Sequence, residues 1–330
     1  MAVMGVFPAI YSTLSPEALV DGVLTQYKLG LVNRCLFWNR GLSDIYLVET
    51  PAESYILKIS HHHWRSKSDI QFELEWLDFL HQRNIPVAYP LKTQDGRLFV
   101  TINALEGDRY GSLFYYAPGK VPLGDLNIIQ SNIMGKTLGR IHQVSLEFKN
   151  RTPRHPLDLK YLLDDSLTII APYLRHRHDD LLYLENTIAT IKQQLNCLSQ
   201  ESPFWSVCWG DPHSGNVHFT PDNQITLFDF DQCGYGWRTF DLAKFLQVSL
   251  RAGINRKIRD AFFTGYQTVQ QLTEVESNSL QALTKMAHIW AWAININATA
   301  IHNWSKLDDF YCTKRLQQLR RLSSKDWQLF

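Results

Sequence analysis

The sequence predicts an α+β chain of two unequal lobes: a small antiparallel sheet lobe, then a larger, mainly helical one. Three observations point there. The chain has 330 residues, enough for about two domains. Short runs that alternate apolar and polar residues dominate its first third, the period of half-buried strands. Beyond position 118 apolar residues recur at helical spacing almost to the end. The boundary falls at Ala117, giving lobes 1–117 and 118–330, with 113–117 as the connector.

Ser15-Pro16-Glu17 opens a helix, with Ser15 as N-cap and Pro16 at the first helical position. Val32–Trp38, Asp44–Glu49 and Ser54–Ile59 read as a three-stranded meander, divided by Asn39-Arg40-Gly41 and Pro51-Ala52-Glu53. Ser68–Arg83 is helical in spacing and ends at Asn84 and Pro86. Tyr89–Lys92 and Arg97–Ile102 read as strands around Asp95-Gly96, and Leu113–Ala117 is a further apolar stretch. Helices are expected over Asn127–Val144, Leu157–Ile170 and Asp179–Leu198, and again from Phe240 onward. A β-like island interrupts them at Val207–Trp209, Val217–Phe219 and Ile225–Phe230.

Composition excludes several classes. A formal net charge of +1 supplies no field to hold a polyanion, so no nucleic-acid partner is expected. With 45% hydrophobic and 20% charged residues the chain is globular rather than disordered. The five cysteines include no Cys-x-x-Cys pair, so a reducing, cytoplasmic setting is expected rather than a disulfide framework. The start has no basic region before an apolar stretch, and no apolar run is long enough to span a bilayer; neither a signal peptide nor a membrane partner is expected. Adjacent residues of an extended stretch point to opposite faces, so His61-His62-His63 reads as no metal site.

The chemistry concentrates in Trp209-Gly210-Asp211-Pro212-His213-Ser214-Gly215-Asn216 and in Leu227-Phe228-Asp229-Phe230-Asp231. A carboxylate that takes a hydroxyl proton, with an amide oxygen and a second carboxylate to share Mg2+, is the minimum equipment for phosphoryl transfer from ATP. In the first lobe, Lys58 lies in the otherwise apolar strand Tyr55–Ile59, where an unpaired ammonium is too costly. Glu73, favoured over Glu75, is the matching acid on the helix.

Gly210-Asp211-Pro212-His213-Ser214-Gly215-Asn216, then Phe228-Asp229-Phe230-Asp231 and Asp241-Leu242-Ala243, resemble the aminoglycoside phosphotransferase and choline kinase superfamily. In layout the chain most resembles the branch of homoserine kinases and the stress-response Ser/Thr kinase. The resemblance implies a bilobal protein-kinase-like fold with ATP and Mg2+ in its cleft. It implies that Asp211 is the catalytic base, that Asn216 and Asp229 hold Mg2+, and that Asp241 bonds to loop backbone. Lys58, oriented by Glu73, would meet the nucleotide phosphates. The turn Asn39–Asp44, with Ser43, would cover them, and the connector, with Tyr115 and Ala117, would lie against adenine. His213, Asp231, Trp237 and Trp290 are candidates for the acceptor pocket, His213 doubling as a brace of the loop. Arg238 has two candidate roles, substrate contact or a pair with Asp241, and Asn297 and His302 are further candidates on the late helix. Many members carry His before Gly-Asp; here it is Trp209.

The function expected is ATP- and Mg-dependent O-phosphorylation of a small hydroxylated metabolite or natural product, with the oligomeric state left open. Two other readings share the motif set: a protein Ser/Thr kinase of the stress-response type, and a catalytically weak nucleotide-binding scaffold. Only residues 232–240 separate Asp231 from Asp241, too few for an extended peptide-docking segment, which favours the small acceptor.

Overall fold

The computed structural model describes residues 8–122, 125–302 and 304–329. The start of the chain, read above for a targeting signal, lies partly outside them, and so does the side chain of His302. The chain divides into two compact units: Met1–His81 with Val87–Ala117 and Asn150–Pro153, and Gln82–Pro86 with Pro118–Lys149 and Arg154–Phe330.

In the first unit, α1 (Pro16–Gly22) starts as its cap dictates, the backbone N–H of Ala18 donating to Ser15 Oγ. A five-stranded antiparallel sheet follows: β1 (Arg34–Arg40), β2 (Ser43–Glu49), β3 (Ser54–Ser60), β4 (Val100–Ala104) and β5 (Gly107–Tyr115), in the order β1-β2-β3-β5-β4. The period of two in β3 puts Tyr55, Leu57 and Ile59 into a core with Leu19, Val23, Tyr46, Val48 and Leu113. The alternate face carries Lys58, which reaches α2 (Lys67–Gln82).

Two strand expectations need correcting. Tyr89–Lys92 is not a strand: it makes a single bridge to β5, Pro90 opposite Phe114, held by Leu91 N–H donating to the Leu113 carbonyl and Tyr115 N–H to the Tyr89 carbonyl, and the pairing goes no further. Leu113–Ala117 is not a separate stretch, since its first residues finish β5.

The second unit is mainly helical. Asn127 and Gln130 form a reciprocal capping box at the start of α3 (Ile128–Ser145). A π-helical turn at Lys160–Asp164 leads into α4 (Asp165–Ile170), so the expected Leu157–Ile170 helix is not regular. Next come α5 (His178–Leu195) and two small antiparallel ladders: β6 (Trp205–Cys208) with β9 (Gly234–Trp237), and β7 (Val217–Phe219) with β8 (Ile225–Leu227). The remaining helices are α6 (Arg238–Ala252), α7 (Arg256–Gln267), α8 (Glu274–His302) and α9 (Asp309–Leu322).

α3 and α7 approach closely enough that a methyl group on Gly135 would lie 1.9 Å from the Phe262 carbonyl oxygen. α6 is buried on all sides from Arg238 to Gln247, so it is an interior helix rather than an amphipathic surface one. All five cysteines are free. Among the described residues no helix is long and apolar enough to cross a membrane.

Candidate active site

In the second unit, β6 delivers the chain into the loop that holds Asp211. Gly210 makes this possible. Its φ of +87° is open to glycine, and a Cβ there would sit 2.1 Å from the Gln232 carbonyl oxygen. The loop hangs on Asp241, whose carboxylate accepts the backbone N–H groups of Trp209 (2.7 Å) and Gly210 (2.8 Å). His142 Nε2 also donates to Asp241, at 2.9 Å, which leaves Nδ1 to accept from the Tyr266 hydroxyl at 3.0 Å. Asp241 thus bonds to loop backbone, with helices α3 and α7 fixing the other end of the chain of hydrogen bonds.

Asp211 receives three groups. Lys244 Nζ stands 3.2 Å from Oδ1, while His213 Nε2 and Gln232 Nε2 stand 3.5 and 3.3 Å from Oδ2. Burial on its own would raise the carboxyl pKa. The charge of Lys244, joined by His213, outweighs burial and holds Asp211 well below the usual carboxylate range. The Gly215 backbone N–H donates to His213 Nδ1 at 3.0 Å, which puts the imidazole proton on Nε2, facing Asp211.

Asn216 closes the loop. Its side-chain nitrogen donates to the Asp211 carbonyl at 3.1 Å, and its own carbonyl accepts the Phe228 N–H at 3.0 Å. The amide oxygen of Asn216 is therefore its remaining ligating atom. Asp229 follows immediately, exposed and at φ +58°, a left-handed conformation that a short polar residue tolerates. An amide oxygen and an accessible carboxylate on adjoining segments are hard donors, and they fit Mg2+.

A second cluster, His142, Cys208 and Asp241, brings its potential ligand atoms within 4.8 Å of one another. It is committed otherwise. Asp241 is saturated by the loop and His142. Cys208 donates to the Trp237 carbonyl at 3.2 Å, and burial pushes its thiol pKa well up, away from the thiolate a metal needs.

In the first unit, Lys58 Nζ pairs with Glu73 Oε1 at 3.0 Å, the carboxylate almost fully buried. Ser43, Ser60, Tyr110 and Ser112 line a small pocket around the pair.

The phosphotransferase enzyme family model matches residues 37–276, which contain both of these constellations. The chain belongs to the phosphotransferase enzyme family. An uncharacterised protein of Synechocystis sp. is 53% identical over 98% of this chain and 90% of its own length. Amicoumacin kinase of Bacillus subtilis is 27% identical over 67% of each chain. Among solved structures, amicoumacin kinase in complex with AMP-PNP, Ca2+ and Ami superposes with a TM-score of 0.73 at 20% identity, covering 92% of this chain and 94% of that one. The small antiparallel sheet and larger helical part are thus the fold of this kinase family, and the chain is a phosphotransferase of the kinase type.

The structure of this phosphotransferase places the other expected residues as follows. Ser43 begins β2 and lies in the Lys58 pocket; the turn beside it is shorter than the sequence suggested, because Arg40 and Asp44 are paired within the β1–β2 ladder. The Tyr115 ring packs among Tyr55 and Tyr89, at 5.5 and 4.5 Å between ring centres, and Ala117 is buried. His61 faces Asp44 at 3.7 Å, while His62 and His63 meet edge-on with ring centres 4.5 Å apart and His62 Nδ1 lies 3.0 Å from the Asp108 carbonyl. Asp231 is buried, and its backbone carbonyl accepts from Arg154.

Trp237 lies at the far end of the β6–β9 ladder, edge-on to Trp205, away from the Cys208 end that leads into Asp211. Trp290 is different: Lys244 Nζ sits over its ring, 5.6 Å from the centre, so it stands behind the ammonium that meets Asp211. Arg238 does not pair with Asp241. It binds Glu276 through two nitrogens, at 2.7 and 2.9 Å, because both oxygens of Asp241 already serve the loop.

Sequence reasoning missed Lys244. Its signal was present: a lysine one turn after Asp241 on a helix otherwise rich in apolar residues, and therefore in need of an acid.

Proposed function

We propose that this phosphotransferase transfers the γ-phosphoryl group of ATP, with Mg2+, to a hydroxyl of a small metabolite or natural product. The observation that carries the reading is the Asp211 loop, where a carboxylate kept ionised by Lys244 is tied through Asn216 to the segment bearing Asp229. Asp211 orients the acceptor hydroxyl and takes its proton as the new O–P bond forms and the bond to the ADP oxygen breaks. His213 braces that carboxylate from its second oxygen. Asn216 and Asp229 hold the metal, which when bound neutralises charge on the transferring phosphates. Lys58, aligned by Glu73, binds the nucleotide phosphates beside Ser43, and the 113–117 connector with Tyr115 and Ala117 serves adenine through its backbone. On this reading 1–117 binds nucleotide, while 118–330 performs catalysis and binds the acceptor, in the cytoplasm.

Residues 232–240 support a small acceptor over a protein one. β9 and the start of α6 occupy them, leaving no free segment on which a peptide would dock. An ATP-consumption screen over hydroxylated metabolites, with casein-type proteins alongside, tests the reading. Turnover with a small hydroxyl compound is expected, and it should fall roughly 10²–10⁴-fold in Asp211→Asn while ATP–Mg binding persists. Turnover with casein alone, or an unimpaired Asp211→Asn enzyme, would reject it.

A further inference from the structure

The residues that follow Asp229 make a tight turn, in which the Cys233 N–H donates to the Phe230 carbonyl at 2.9 Å. The turn meets the Asp211 loop at two places. Gln232 brings Nε2 to Asp211 Oδ2 at 3.3 Å, and its carbonyl oxygen would lie 2.1 Å from a Cβ on Gly210. The Gln232 side chain is a weak tether: its one bond is long, and its buried Oε1 has no hydrogen-bond partner. The place of Gln232 is therefore set by the backbone of the turn.

One guanidinium grips that backbone. Arg154 Nε donates to the Cys233 carbonyl at 2.7 Å, and Nη2 donates to the Asp231 carbonyl. Two donors of a rigid planar fork, on carbonyls two residues apart, fix the curvature of the chain between them. Arg154 is itself well seated. Pro153 and Pro156 stiffen the stretch that carries it. Leu157 anchors that stretch to β9, its N–H donating to the Tyr235 carbonyl at 2.6 Å beside a parallel bridge to Gly236.

We infer that Arg154 is a positioning residue: by holding the Asp231 and Cys233 carbonyls it fixes the turn on which the ligating carboxylate of Asp229 and the contact of Gln232 with Asp211 both depend. The inference rests on the phosphotransfer reading for what Asp229 does, but the grip on the turn has a readout that needs no ligand. Asp229 sits at φ +58°, a conformation that persists only while its surroundings enforce it. The Lys58–Glu73 pair of the first unit takes no part.

Two measurements on the full chain test it, in the parent, Arg154→Ala and Arg154→Lys. Arg154 is half-buried, so both variants are expected to fold. Amide hydrogen exchange without ligand reads the turn. The Cys233 N–H should exchange about tenfold or more faster in Arg154→Ala, while the Trp209 and Gly210 N–H groups, held by Asp241, keep the parent's rates. ATP titrations at several Mg2+ concentrations read the consequence. The Mg2+ concentration for half-maximal ATP binding should rise about tenfold or more in Arg154→Ala, the equivalent of one charge-assisted hydrogen bond. ATP affinity in EDTA should not change. Arg154→Lys, whose ammonium has donors for both carbonyls, should recover most of the shift. Unchanged Cys233 exchange, equal acceleration at Trp209 and Gly210, or an unchanged metal requirement overturns the inference. A parent chain that binds no ATP–Mg overturns the phosphotransfer reading instead, and the exchange rates alone then decide whether Arg154 holds the turn.

Discussion

The indole N–H of Trp209 donates to the backbone carbonyl of Asp229 at 3.1 Å, while its ring stacks on Phe230 with centres 5.2 Å apart. Trp209, which stands where the sequence resemblance implies histidine, therefore ties the Asp211 loop to the Asp229 segment directly, through one hydrogen bond and one buried stack. The hydrogen bond and the stack can be separated. Trp209→Phe keeps an aromatic ring and deletes the donor, removing a hydrogen bond worth about 0.5–1.5 kcal/mol. Asp229 then loses a restraint on its left-handed backbone, so the Mg2+ dependence of ATP binding should shift to higher metal concentration. Trp209→His restores a donor on a smaller ring. It should lose stability, by roughly 2–4 kcal/mol for the missing volume, yet keep the metal dependence of the parent. Denaturant unfolding and ATP titrations at several Mg2+ concentrations measure both; a Trp209→Phe enzyme with unchanged metal dependence would show that the hydrogen bond is incidental.

Asp241 is the second point at which loop geometry is set. Asp241→Ala strands the N–H groups of Trp209 and Gly210 and the Nε2–H of His142 in the interior. Each unpaired buried donor costs about 1–3 kcal/mol. Stability measured by urea unfolding should fall by several of these increments, and turnover should fall further than nucleotide affinity, since Asp211 is displaced while the Lys58–Glu73 pair is not touched. Nucleotide affinity falling in step with turnover would place the effect elsewhere.

How much of this was legible in the sequence differs from residue to residue. β1–β3 and α2 were readable because alternation and helical spacing are local signals, and Ser15-Pro16 is a local cap. β9 was not readable. Gly-Tyr-Gly-Trp has little strand propensity, and it is a strand because β6, some thirty residues earlier, offers it a ladder. Tyr89–Lys92 misled for the converse reason: it lies beside β5 and bonds to it through Tyr89 and Leu91, but for one bridge only, and nothing local marks where such pairing stops. The Asp211–Asn216 spacing marked the loop, yet Lys244 escaped notice because a lysine at i+3 from an aspartate reads as a solvated face. The apolar run around it marks a need for an acid, and the burial of α6 on every side shows that the acid is Asp211. Arg238 shows the same limit: sequence proximity suggested Asp241, and the actual partner, Glu276, lies 38 residues away.

The first unit yields a sharper comparison, because two glutamates stand two residues apart on α2 and so face nearly opposite sides of it. Glu73 pairs with Lys58, whereas Glu75 accepts from Asn150 (2.6 Å) and Thr152 (2.8 Å). Glu73→Gln and Lys58→Met each remove one side of a charge-assisted hydrogen bond worth about 1.5–3 kcal/mol. The KM for ATP should rise roughly ten- to hundredfold in both, by that same conversion. Glu75→Gln should leave it where it was. Equal effects at Glu73 and Glu75 would mean that the helix, and not the ion pair, is what the nucleotide requires.

His288 gives the protein a pH dependence whose sign follows from its burial. Its folded pKa is pushed to about 3, chiefly by desolvation and then by Arg315, while an unfolded histidine titrates near 6.5. Above about pH 6.5 both states are neutral and His288 contributes no pH dependence. Between about 6.5 and 3 the unfolded chain binds a proton that the folded chain refuses, so acidification favours unfolding, by up to about 1.4 kcal/mol per pH unit from this group. His288→Gln retains a donor for the Arg315 carbonyl and removes the titration. The variant should be somewhat less stable at pH 7.5, where its packing is imperfect, but should lose less stability than the parent on going to pH 5. Urea unfolding at pH 7.5, 6 and 5 for the two proteins provides the comparison. Parallel losses in both would show that His288 is protonated in the fold, and that the field of Arg315, Arg251 and Lys244 is already neutralised by another group.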